Sequence, residues 1–220
     1  MMTDFDLDPA EVRVLGVLVE KELSTPDYYP MTLNALRQAC NQKTNRDPVV
    51  AYSADDVQIA LDTLKRRRLV GTTSGMSSRS TKYRHALPQV MDLGKAERAV
   101  MAVLLLRGPQ TVGEIRARTG RMYEFESMDN VEAILSTLAE AREEQLPALV
   151  TALPVQPGRK EARYAHLLSG PPDLDALEAE AVVTTGSSSR LDALETEVAS
   201  LKQQLTDLNE AFATFRSQFE

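Results

Sequence analysis

Three side chains in this sequence suit nucleophilic or proton-transfer chemistry near neutral pH: Cys40, His85 and His166. The histidines recur two residues after a tyrosine, in TKYRHA from Thr81 and in ARYAHL from Ala162. A pair that recurs with its tyrosine is expected to belong to a repeated strand, not to a site. Cys40 falls on the apolar side of an expected helix with no basic neighbour in that helix, so it reads as a buried thiol. A lone cysteine excludes a disulfide framework and a multi-cysteine metal site. Glu143-Glu144 reads as solvated surface. The chain has no phosphate-binding Gly-Lys loop, no dinucleotide glycine pattern, no HExxH and no GxSxG. The expectation is a protein that is not an enzyme, with no catalytic residue, metal or cofactor.

The other chemistry is cationic. Lys65, Arg66, Arg67 and Arg68 form a run; Lys43 and Arg46 precede it, and Arg79, Lys82 and Arg84 follow it. Lysines and arginines in such clusters suit phosphate contacts, and Gln58 has the amide that can read adenine. The expected nucleic-acid-binding set is Lys43, Arg46, Gln58, Lys65, Arg66, Arg79 and Lys82. Asp55 and Asp62 share the face of Gln58, and their charge opposes phosphate.

The elements that would position these residues can be read from spacing. Asp8-Pro9-Ala10-Glu11 is a helix start, and Val12, Leu15, Gly16 and Val19 make its stripe. Ser24–Pro30 is a loop that offers Tyr28 and Tyr29, and a second helix runs over Thr32–Cys40 with Leu33, Leu36 and Cys40 on one side. Asn41–Pro48 is a polar connection. Ser53 and Asp56 cap a third helix whose Val57, Ala60, Leu61 and Leu64 share a face. Leu69–Ser74 and Ser80–Leu87 read as strands around a turn at Gly75–Ser78. Helix, helix, helix and hairpin is the winged-helix order.

That order returns. LGKAERAVMAVL from Leu93 aligns with LDPAEVRVLGVL from Leu7, and TVGEI from Thr111 takes the place of TLNAL from Thr32. DNVEAILSTL from Asp129 aligns with DDVQIALDTL from Asp55, and Tyr164 and His166 fall on Tyr83 and His85. The expected fold class is mainly α with small β-hairpins. It comprises tandem winged-helix domains over 1–88 and 89–169, a linker over 170–189 and a coiled-coil helix over 190–220.

The tail carries Leu191, Leu194, Val198, Leu201, Leu205, Leu208, Phe212, Phe215 and Phe219, stepping by three and four as an a/d seam over about four heptads. Glu197 and Lys202 fall at g and the next e, where they attract across a parallel dimer. A homodimer through this helix is expected.

The net charge of −7 is not spread evenly. Residues 1–88 carry a net +1, residues 89–169 a net −1 and residues 170–220 a net −7, so an acidic whole does not exclude nucleic acid for the first two segments. The acidic MMTDFDLDP start is not a secretory signal, and the longest apolar run, Val100–Leu106, is too short for a bilayer. A cytoplasmic protein with no membrane partner is expected.

Glu20–Val49, LLLRGPQT from Leu104, RMYEF from Arg121 and PGRKEARYAHLLSG from Pro157 resemble the YceH family of bacterial proteins over about Leu7–Gly170. The resemblance implies paired winged-helix domains in a bacterial cytoplasmic protein, and no reaction, ligand or catalytic residue.

Two functions follow from the residues. One is binding of double-stranded DNA through the first domain, in a regulatory or chromosome-associated role. The alternative is a protein-interaction adaptor without DNA contact, suited by the acidic Asp129, Glu132, Ser136 and Glu140 of the second repeat and by Tyr28-Tyr29 and RMYEF.

Overall fold

The structure is a computed structural model describing residues 5–73, 80–141, 147–156, 159 and 161–174. The expected turn at Gly75–Ser78, Arg79, the Glu143-Glu144 pair and the whole heptad seam from Leu191 to Phe219 lie outside the described residues. Met1–Pro172 forms one unit and Asp173–Glu220 another, of which only Asp173 and Leu174 are described.

Helix α1 spans Pro9–Ser24. The Asp8 carboxylate accepts from the amides of Ala10 and Glu11, both at 2.8 Å, and Glu11 reaches back to the Asp8 amide at 3.0 Å. This reciprocal cap satisfies N–H groups that a helix start otherwise leaves unpaired. The expected stripe of Val12, Leu15, Gly16 and Val19 is buried, but so is every other residue from Glu11 to Val19. One stripe was too little because α1 is packed on two sides. It meets α2 (Leu33–Cys40), α3 (Ala54–Arg66) and β3 (Lys82–His85) on one side, and α5 (Lys95–Arg107) on the other.

Helices α2 and α3 start where the spacing placed them. Thr32 caps α2, and Ser53 with Asp56 makes a full capping box on α3. Strand β1 (Met31–Thr32) and β2 (Val70–Thr73) flank β3 in an antiparallel sheet of order β1-β3-β2. A short α4 (Leu87–Val90) leads to α5.

The second half repeats the order with α5, α6 (Val112–Thr119), α7 (Met128–Ala139), β4 (Val150–Ala152) and β5 (Tyr164–His166). The register repeats too. Val70 lies opposite His85 and Thr72 opposite Tyr83; Val150 lies opposite His166 and Ala152 opposite Tyr164. Met31, one residue before the Thr32 cap, pairs with Tyr83, and Gln110, one residue before the Thr111 cap, bridges to Tyr164. The fold is thus mainly helical with small antiparallel sheets. Among the described residues no helix is long and apolar enough to cross a membrane.

A single hydrophobic core runs through both halves. Its centre is the pairing of α1 with α5, whose residues Ala99–Leu106 are all buried. The helices cross closely at Gly16. A Cβ there would stand 2.9 Å from the Leu105 Cβ and 3.0 Å from the Leu106 Cδ2. Among the described residues two backbone hydrogen bonds join the halves elsewhere, from the Leu7 amide to the Leu168 carbonyl at 2.7 Å and from the Asp47 amide to the Leu106 carbonyl at 2.9 Å. Gly16→Val should lower stability by about 1–3 kcal/mol through overpacking, read as an earlier midpoint in urea unfolding. An unchanged midpoint would show that α1 and α5 can part without cost.

Candidate functional site

The residues most able to do chemistry are held by the fold. Cys40 is buried, and that burial pushes its thiol up to about 12 despite the nearby Arg46 and Arg13. A thiol so protonated is a poor nucleophile. His85 is buried as well. Its Nδ1 accepts from the Leu87 amide at 3.3 Å, which leaves the proton on Nε2, 2.9 Å from the Glu22 carboxylate. The hydrogen bond from His85 and the charge of Arg98, 3.2 Å away, hold Glu22 below the usual carboxylate range. His85 therefore ties β3 and α4 to α1. His166 has the equivalent place on β5 but a different setting. Its ring is half-buried, and its Nδ1 is sealed from solvent without a partner. Desolvation lowers it to about 4. Among the described residues no group of three or more His, Cys, Asp or Glu could hold a metal ion.

The expected nucleic-acid set is not brought together as one face. Arg46 is 5% exposed, and its guanidinium grips both Glu20 oxygens at 3.1 and 2.6 Å. It also donates to the Ala39 and Asn45 carbonyls and to Gln42. Arg46 is therefore a clamp inside the 41–48 connection, not a phosphate contact. The clamp holds Glu20 below its ordinary carboxylate range even though burial pushes the other way. Removing one partner of so buried a pair costs about 3–5 kcal/mol. Buried Arg13 braces the same segment from α1, donating to the Cys40 carbonyl at 3.2 Å and the Pro48 carbonyl at 2.6 Å. The visible sign was Arg13 standing alone as a charge within the apolar run Val12–Val19.

The α3 cluster is also engaged. Gln58 donates to Asp62 at 3.1 Å and accepts from the Tyr83 hydroxyl at 3.3 Å, so each end of its amide already has a partner within the protein. Lys65 pairs with Asp62 at 2.6 Å, Arg66 donates to the Thr63 hydroxyl at 2.7 Å, and Arg67 donates to the Asp6 carbonyl at 3.2 Å. Cations in the last turn also suit the partial negative charge of a helix C-terminus. Lys82 is half-buried, Arg68 and Arg84 are exposed, and Arg79 is outside the described residues.

What α3 presents instead is Ile59, 65% exposed, with Asp55, Asp56 and Asp62 four and three residues before it and three after it. On α7 the matching surface shows Asp129, Glu132 and Glu140, with Met128 49% exposed. Of the two aromatic loops, Tyr28 stands 81% exposed, whereas Tyr29 turns inward and accepts from the His85 amide at 2.8 Å. In RMYEF, Met122 and Phe125 are buried, and Tyr123 packs edge-on against Phe125.

Five basic residues meet in a place that no spacing marks. A groove of about 700 Å³ lies between the halves, with Lys21 and Lys43 on one wall and Arg107, Arg118 and Arg121 on the other.

Residues 7–159 match the family model described as "Protein of unknown function, DUF480". Among similar proteins, a UPF0502 protein of Geobacter sulfurreducens is 49% identical over 220 residues, covering 97% of this chain and 98% of the relative. A UPF0502 protein of Azoarcus sp. is 49% identical over 220 residues, with 98% and 95% coverage. One of Vibrio vulnificus is 44% identical over 212 residues, with 92% and 95% coverage. This is the kind of bacterial family that the resemblance to YceH proteins led one to expect.

The setting of His166 has a consequence for stability. Its folded value near 4 lies below the ordinary 6.5, so the unfolded chain binds the proton more readily. Its contribution is complete above pH 6.5 and is lost as pH falls toward 4. His166→Phe should flatten the urea-unfolding free energy across that window relative to the parent. Identical pH profiles would mean that the ring is hydrated in the folded state.

Proposed function

This chain belongs to the DUF480 family, also named UPF0502, and we propose that it is a non-enzymatic protein-binding adaptor built from two winged-helix domains. The repeated element order and the repeated strand register support the winged-helix reading of each half. The observation that carries the function is the outward face of α3. An exposed isoleucine among three aspartates suits an apolar socket rimmed by Lys and Arg on a partner protein. Asp55 and Asp56 on the same face oppose a phosphate backbone, and its one base-reading candidate is tied to Asp62 and Tyr83. The acidic surface of α7 supports the same use.

Ile59→Arg tests this. Cross-linking capture from cells of the source bacterium should lose specific partners relative to the parent, while Lys82→Glu with Arg84→Glu should leave them in place. Duplex DNA is the second reading, favoured by exposed Arg68 and Arg84 beside the strand pair. It would replace the first if fluorescence anisotropy at about 50 mM salt showed tight duplex binding that Lys82→Glu with Arg84→Glu removes and Ile59→Arg does not.

The heptad seam supports a homodimer, which would present two copies of each face to a partner and raise avidity. Deleting residues 191–220 should halve the mass measured by light scattering. A monomer's mass for both the full chain and the deleted one would refute the dimer.

A further inference from the structure

We infer that the groove between the two halves is a binding site for a small phosphate-bearing anion carrying a diphosphate or triphosphate group. Its volume of about 700 Å³ suits a small ligand, and its walls are cationic beyond what their own anions neutralise.

The lining holds Lys21, Lys43, Arg107, Arg118 and Arg121 against one carboxylate, Glu20. That carboxylate is already used: Arg46 holds it at 2.6 Å and Lys21 approaches it at 3.3 Å. Arg118 leans on Glu114 at 3.3 Å. Among the described residues the Arg107 guanidinium donates to the neutral Asn45 side chain and makes no ion pair. Lys43 and Arg121 are exposed and make no ion pair among the described residues. Burial holds the Arg107 pKa below its ordinary value, and the nearby charges of Arg118 and Arg46 add to that, while Glu20 and Asp47 act the other way. Such an arrangement costs free energy in the empty protein, and a multiply charged anion relieves it.

The geometry is prepared in advance. Lys43 and Asn45 stand on the 41–48 connection, which the Arg46 clamp, Arg13 and the Asp47 amide bond to Leu106 hold in shape. Arg107 ends α5, and Arg118 and Arg121 stand in and just beyond α6. The Gln42 amide and the Thr44 hydroxyl add neutral donors to the lining, whereas Ser24 and Thr25 donate their hydroxyls to the Glu20 and Lys21 carbonyls. No α3 residue lines the groove, so this site stands whether or not the α3 face binds protein.

Isothermal titration of the full chain with inorganic triphosphate, pyrophosphate, phosphate and sulfate tests the site, with a short single-stranded oligonucleotide as a separate arm. Affinity should rise from phosphate to pyrophosphate to triphosphate and weaken with added salt. Lys43→Ala with Arg121→Ala should weaken triphosphate binding by about tenfold or more. These are exposed positions, so folding is spared, and Lys82→Ala should leave binding unchanged. Arg107→Gln should weaken it as well. No heat of binding at millimolar triphosphate, or equal affinity in the Lys43 and Arg121 double variant, would overturn the proposal. Binding of the oligonucleotide far tighter than of triphosphate would assign the groove to a nucleic-acid backbone and likewise overturn it.

Discussion

The close crossing of α1 and α5 at Gly16 is the constraint on which the rest of the molecule depends. Each of these helices is buried along most of its length, because each serves the core of its own half and the seam between halves. A glycine at the crossing lets the backbone of α1 lie against Leu105 and Leu106. Burial of Val and Leu side chains contributes about 1.5–3 kcal/mol each, which exceeds the net value of a typical hydrogen bond. Van der Waals fit along this seam therefore sets the relation of the halves. The 41–48 connection, the groove and the strand ends take their places around it.

Polar groups then fix what the apolar seam leaves loose. Arg46 in the 41–48 connection and Arg13 in α1 both spend donors on backbone carbonyls of that connection and its approach, and Arg46 also holds Glu20. A loop so braced has little freedom, which is why it can form one wall of a groove. His85 does comparable work at the base of the first sheet, joining Glu22 of α1 to β3 and α4. Its counterpart His166 keeps the register without the partners. The repeat thus preserved backbone geometry, while the side-chain networks of the two halves diverged.

Charge is sorted by surface, and the sorting bears on function more than the total does. The third helix of each half turns acids outward, while Lys65 pairs with Asp62 of its own helix and five further cations line the groove between the halves. A basic run read along the chain, such as Lys65 to Arg68, suggests a phosphate-binding strip. In space three of those four are occupied by Asp62, Thr63 and the Asp6 carbonyl. The unsatisfied cations come from positions far apart in sequence.

Local rules made much of this protein legible from residues alone. The Asp8, Thr32 and Ser53 caps, the core face of α3 and the strands around Tyr83 and His85 depend on neighbours within a few positions, so spacing reveals them. The repeat was legible for the same reason, since equal local patterns fold alike. What only the tertiary structure decided is the partner of each charged group. Arg46 looked like a free loop cation until Glu20, 26 residues away, closed on it. Arg107 and Arg121 became neighbours of Lys43 only when α1 met α5. Coulombic and hydrogen-bonding partners are chosen by distance in space, and a chain's periodicity carries no record of that distance.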